Sequence, residues 1–198
     1  MSVVPLSIES TRRRLSDRQA ATVQRLTEAA VEEVRAGGFD GLTVRNVARR
    51  AGVAPATAYT YFTSKEHLVT EVFWRRLQAL PDTALDRRRN AVSRINASIS
   101  DLALLVADEP ELAAACTVAM LSTDPDVRLL RDRIGAEWRR RLSVAMSETA
   151  DAAVDEARLT TLELAMSGAL VRAGTGHISY EDLPSQLTDV VEVVMGER

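Results

Sequence analysis

One cysteine, Cys116, and two histidines, His67 and His177, among 198 residues provide no internal disulfide and no Cys- or His-rich structural zinc site. That scarcity suits a reducing compartment and a fold held by its core. No run approaches the ~18 consecutive apolar residues a membrane span requires. The arginines near the N-terminus follow a short apolar patch instead of preceding a long one, which is not the order of a secretory signal. Period-2 runs bounded by turn residues are missing, so no strand is expected. No Ser-His-Asp set, metal-ligand spacing or phosphate-cradling glycine loop is visible, and with them go a catalytic site, a metal and a cofactor. The reading is of a cytoplasmic, non-enzymatic protein with no membrane partner.

What is present is enough apolar material for a substantial core, 46% of residues, with 27% charged. The formal net charge of −3 hides an asymmetry. Residues 1–80 hold 12 Lys and Arg against 8 Asp and Glu, a net of +4, and residues 81–198 hold 13 against 20, a net of −7. A basic front half points to a polyanionic partner, and the acidic remainder should stand away from it. Lys65 is the one lysine, all other cations being arginine.

Helical periodicity organises the chain. Residues 1–15, with Pro5 and the run Arg12, Arg13, Arg14, read as a flexible basic arm. Ser16 and Gln19 have capping-box spacing for a first helix over about 17–36, with Val23, Leu26, Ala30 and Val34 on one face and Gly37-Gly38 closing it. Thr43 caps a second helix, Gly52 ends it, and Pro55 takes the first position of a short third. Ser64 caps a fourth, which runs to Pro81. Five longer helices are expected over about 83–107, 111–122, 126–150, 156–173 and 183–195, the first three separated by Asp108-Glu109-Pro110 and Thr123-Asp124-Pro125. In the 126–150 helix Leu130, Ile134, Trp138, Leu142 and Met146 form one stripe, with Arg131, Arg139 and Arg140 facing away and Arg139 to Arg141 read as a solvated face. The fold class is all-α, about nine helices.

The stretch Leu42 to Leu68 carries the function. A capped helix, a tight turn at Gly52 and a short helix from Pro55 make a helix-turn-helix, whose second helix enters the major groove of a duplex. At 100° per residue, Pro55, Ala58 and Phe62 fall on the packing side. Ala56, Thr57 and Thr60 then point outward, with Tyr59 and Tyr61 on the flanks. Hydroxyls there reach phosphates or base edges, and Ala56 admits a close backbone or a thymine methyl. Thr43 and Arg45 sit beside the backbone. Lys65 occupies the first turn of the fourth helix, where a cation opposes the helix dipole and so invites a reason outside that helix. Arg12 to Arg14 could reach an adjacent minor groove.

Leu42-Thr43-Val44-Arg45, Val47-Ala48, Ala51-Gly52-Val53, Pro55-x-Thr57-x-Tyr59, Tyr61-Phe62 and Ser64-Lys65-Glu66-x-Leu68 together resemble the N-terminal domain of the TetR family of bacterial transcriptional regulators. The resemblance implies a DNA-binding domain over 16–63, a connecting helix over 64–80 and a ligand-binding and dimerisation domain over 81–198. It implies a homodimer paired through the last two helices, a repressor released from operator DNA by a small molecule, and DNA contacts from Thr43, Arg45, Thr57, Tyr59, Tyr61 and Lys65. The pattern departs at Ala54, Ala56, Ala58 and Thr60, where the family often has a serine or threonine, a glycine, a leucine and an arginine or histidine; these departures bear on which operator is read. Ala54, Pro55, Ala56 and Thr60 complete the expected DNA-binding surface.

Bland readings stand beside these. Tyr59 and Tyr61 could be packing residues, and Trp74, Trp138, Met120, Met146 and Met166 core fillers; Trp74, Leu102, Met120, Trp138 and Met166 are nonetheless the candidate pocket for a lipophilic effector, because adaptable thioethers suit one. His177 reads as a surface-loop residue, Cys116 as a small buried hydrophobe or a redox-sensing thiol. The adjacent carboxylates Asp108/Glu109 and Asp155/Glu156 read as caps or solubilising charge. The last two helices either close the monomer or, with Ala165, Gly168 and Ala169 allowing close approach, pair with a second copy. A ligand-independent DNA-binding module would have a solid core, and a small helical enzyme would need paired acid and base groups in a pocket.

Overall fold

The computed structural model describes residues 17–83, 86–147 and 154–196, all helix and connecting loop. The proposed capping residue Ser16 and the arm residues Arg12, Arg13 and Arg14 lie outside the described residues. The helices are α1 (Asp17–Gly41), α2 (Val44–Arg50), α3 (Pro55–Tyr59), α4 (Lys65–Ala79), α5 (Ala91–Ala103), α6 (Pro110–Met120), α7 (Pro125–Met146), α8 (Glu156–Gly174) and α9 (Leu183–Met195).

Local chemistry explains most of these boundaries. Gly38 has φ +65, a value that suits glycine, and it breaks α1 where the glycine pair was expected to end it; a last turn continues to Gly41. Thr43 and Ser64 cap α2 and α4 by accepting from the N–H groups of Asn46 and His67. Gly52, at φ +63, closes α2: its N–H donates to Arg49 O at 3.2 Å and that of Val53 to Ala48 O at 2.9 Å. Two expectations fail. The helix expected from 83 begins at Ala91, because Asn90 caps it through the Ser93 N–H and Asp86 turns the chain before it by accepting from the Arg88 N–H. The helix expected to reach 150 ends at Met146, with Ser147 already extended.

In the head, α1, α2 and α3 close over Leu26, Val34, Leu42, Val47, Ala58 and Phe62, all buried. The connecting helix α4 packs on α1 in the head and on α6 and α7 in the body, while α5 and α8 each pack on α9. One apolar core therefore runs through head and body without interruption.

Arginine joins the parts, and here sequence periodicity misleads. Arg141, expected to be solvated, is buried: it pairs with Glu137 at 2.7 Å and donates to Pro81 O at 2.9 Å and Leu80 O at 3.4 Å, capping the far end of α4. Arg139 pairs with Glu156 and Glu163 of α8, and Arg140 with Asp82. Glu109, read as a cap or solubilising charge, is a hub that receives Arg76 of α4 at 2.5 Å and Arg35 of α1 at 2.8 Å.

Burial raises the Glu109 pKa, but the hydrogen bonds and charges of Arg76, then Arg35, outweigh it and hold the carboxyl below its ordinary 4.5. A carboxyl depressed in the folded state stabilises above its unfolded pKa, and that contribution is lost as pH falls through the folded one. Glu109→Gln is therefore expected to lower stability at pH 7 and to flatten the decline below about pH 4.5, measured by urea unfolding across that range.

Candidate nucleic-acid interface and effector cavity

The short helix α3 presents the surface expected of it, with one exchange. Ala58 and Phe62 are buried under it, Phe62 standing edge-on to His67 with ring centroids 5.4 Å apart. Ala54, Ala56, Thr57 and Thr60 are exposed, and Tyr59 is 52% exposed. Pro55, placed on the packing side by the helical wheel, is exposed as well. A proline at the helix start sits at the rim, where the chain enters from the turn. Thr60 Oγ1 donates to the backbone carbonyl of Thr57 at 2.6 Å, and the Thr57 side chain stands on the exposed face. Tyr61 is half-buried and packs against the core, so part of the side chain meets solvent. Thr43 and Arg45 are exposed at the start of α2, beside this face.

Lys65 differs in an instructive way. Its Nζ donates to Phe39 O at 2.8 Å and lies 4.2 Å from the centroid of the Phe39 ring. The cation that opposes the dipole of α4 thus satisfies a carbonyl at the end of α1 and gains a cation–π contact of roughly 0.5–1 kcal/mol. The reason for it outside its own helix lies inside the protein.

A cavity of about 250 Å³ in the body is bounded by α4, α5, α6, α7 and α8. Leu102, Met120, Trp138 and Met166 line it as expected, whereas Trp74 is displaced by its neighbour: Phe73 faces the space, and Trp74 lies about 100° further round α4. The α7 wall is Arg131, Ile134, Gly135 and Trp138, an i, i+3, i+4, i+7 face. Arg131, expected to face away, is on it. Sequence reasoning missed Arg131 and Gly135, although their spacing from Trp138 was the available signal. A Cβ on Gly135 would meet nothing within 4 Å, so this mid-helix glycine leaves the wall open.

Opposite, Thr117 Oγ1 and the Tyr180 hydroxyl share a hydrogen bond of 2.5 Å, and Tyr180 donates to Ala113 O at 3.1 Å. Gly174 fits against that pair with no room to spare: a Cβ there would lie 2.7 Å from Thr117 Cβ. Gly174→Ala is expected to cost about 1–3 kcal/mol through the forced shift of α8 from α6, read as a lower urea midpoint. Cys116 is buried on the same wall, and burial pushes its thiol up to about 12. A thiol whose burial favours its neutral form is a poor redox sensor. His177 is exposed in the loop after α8, as expected.

The head is tied to the cavity wall at the start of α4. Ser64 Oγ donates to Asp124 Oδ2 at 2.6 Å and Thr63 Oγ1 to Asp126 Oδ2 at 2.9 Å. Asp124 also caps α7 by accepting from the Asp126 N–H at 2.8 Å. With Arg141 holding Leu80 O and Pro81 O, α4 is fastened to α7 at both ends.

Comparison with known proteins agrees with this architecture. Residues 26–72 match the family model for bacterial regulatory proteins of the tetR family. The chain is 44% identical over 180 residues to an uncharacterized HTH-type transcriptional regulator, Rv0767c, of Mycobacterium tuberculosis, covering 90% of this chain and 82% of that one. It is 26% identical over 183 residues to the HTH-type transcriptional repressor KstR of Rhodococcus jostii, covering 92% and 86%. Among solved structures, a TetR transcriptional regulator from Rhodococcus sp. RHA1 superposes with a TM-score of 0.71 at 22% identity, covering 92% of this chain and 99% of that one. Helix-turn-helix geometry, family match and a relative spanning nearly the whole chain place this protein in the TetR family of bacterial transcriptional regulators.

Proposed function

We propose that the protein is a cytoplasmic homodimeric repressor that leaves its operator when a small lipophilic molecule occupies the cavity. The observation that carries this reading is the double fastening of α4: the helix that begins where the DNA-facing segment ends also contributes Phe73 to the cavity and is bound to its α7 wall. Whatever repositions α7 therefore acts on the head. Tenfold weaker operator binding needs only about 1.4 kcal/mol of such coupling.

In this reading Thr43, Arg45, Ala54, Pro55, Ala56, Thr57, Tyr59, Thr60 and the exposed part of Tyr61 meet the duplex, with Arg12 to Arg14 as a minor-groove arm. Lys65 holds the α1 end in place and offers its remaining N–H groups to a phosphate. Leu164 and Val171 are exposed on α8, at 69% and 45%, and Val193 on α9 at 63%. With exposed Gly168 between the first two, they form an apolar stripe suited to a second copy, which would place two heads about one DNA turn (~34 Å) or a multiple of it apart. A ligand-independent module called for a solid core, and the cavity argues against it.

Mobility shifts on the DNA upstream of the protein's own reading frame test the proposal. A salt-sensitive complex of two chains per site is expected, weakened by lipophilic compounds that raise the melting temperature. A monomer in solution, or a complex indifferent to every compound that stabilises the protein, would overturn it.

A further inference from the structure

Arg131 is the one charged side chain on the cavity wall among the described residues. It is half-buried, and it holds carbonyls: Nη1 donates to Met120 O at 2.6 Å and to Ser122 O at 3.3 Å. Arg76, Arg139 and Arg141 each meet a glutamate, whereas Arg131, like Arg94, is held by carbonyls, and of these five only Arg131 lies on the cavity wall. A guanidinium has five N–H groups in a fork that matches a carboxylate, and here most of that fork is not engaged by the two carbonyls. Around it the wall is apolar, with Ile134, Trp138 and Met166. A cation bordering a low-dielectric space without a counter-ion favours an anion there more strongly than one in water.

The position of Arg131 also gives such an anion a mechanical outlet. The two carbonyls it holds belong to the end of α6 and the turn that follows. In that turn Ser122 Oγ accepts from the Asp124 N–H at 3.2 Å, and Asp124 in turn holds Ser64 at the start of α4.

We propose that the effector is a monoanionic amphiphile, an apolar body in the cavity with a carboxylate on Arg131, and that this pairing draws the guanidinium off the end of α6 and loosens the Asp124–Ser64 tie. The inference rests on the cavity being the effector site. It adds the chemical class that the site selects and the first contact to change.

Calorimetric titration of the protein with decanoate, decan-1-ol and methyl decanoate, each below its micellar concentration, tests it. Decanoate is expected to bind at least tenfold tighter than the other two, a difference of ~1.4 kcal/mol. Arg131→Met should erase that preference by weakening the acid alone, and Arg131→Lys, which keeps the charge, should retain most of it. Equal affinities for acid and alcohol in the unmodified protein would overturn the proposal, as would a preference that survives Arg131→Met. Gly135→Trp, which fills the space beside α7, separates the two levels. If acid and alcohol bind equally and this variant abolishes both, the acid requirement falls and the cavity stands. If none of the three binds, the acid requirement and the cavity as effector site fall together.

Discussion

Thr57→Asp is expected to abolish operator binding, by at least 100-fold, while leaving the melting temperature unchanged. Thr57 is exposed at the centre of α3, and the bond it gives the fold there is through its backbone carbonyl, which accepts from Thr60. A carboxylate there costs the folded protein little, but docked in the major groove it would lie among phosphates with no cation of its own. Like-charge juxtaposition at an interface costs several kcal/mol, and about 2.7 kcal/mol already corresponds to the 100-fold loss. Competition binding at fixed salt, paired with thermal unfolding, reads both halves of the prediction. A variant that binds normally would remove α3 from the interface. Lys65→Ala provides the contrast: it breaks the Phe39 contact as well as any phosphate contact, so its affinity loss should come with a lower melting temperature.

Asp124→Ala should be the most damaging single change at the junction of head and body. The carboxylate caps α7 and receives Ser64, and the Ser64 hydrogen bond is the leading reason its pKa lies below the ordinary aspartate value. Losing a cap costs about 0.5–2 kcal/mol, and losing a hydrogen bond to a charged group about 1.5–3 kcal/mol. Non-additivity and partial exposure bring the expected total to roughly 2–3 kcal/mol. The variant should therefore melt several degrees lower and, if the proposed effector switch runs through this tie, show a smaller effector-induced loss of operator affinity. Asp124→Asn, which keeps the cap acceptor but not the charge, should recover much of the stability. A full effector response in Asp124→Ala would show that the signal travels elsewhere, the Glu109 hub being the next route.

The parts of the fold that local chemistry dictates were legible in the sequence. Thr43, Gly52, Pro55 and Ser64 as a helix cap each act within four residues of themselves, and the turn, caps and exposed face of α3 followed from them; the second bond of Ser64, to Asp124, did not. The start of α5 was not legible, because the arginine-rich stretch before Asn90 is compatible with helix and only the asparagine cap marks the true beginning. Arginine partners were the larger loss. Arg35 meets Glu109 across 74 positions and Lys65 meets Phe39 across 26, and pairs so remote leave no trace in a helical period. Arg131 was misplaced for a related reason: polarity argued for solvent, while its register with Ile134, Gly135 and Trp138 put it on the cavity wall.

The fastening of α4 has a mechanical corollary. Ser64 to Leu80 on one helix and Asp124 to Arg141 on the other are spans of about 24 and 26 Å at 1.5 Å per residue. Two rods of nearly equal length linked at both ends make a parallelogram. Such a linkage has no free end about which to swing, so it transmits sliding and rolling while suppressing tilt. While both ties hold, the two DNA-reading heads of the proposed dimer would change their separation before changing their slant.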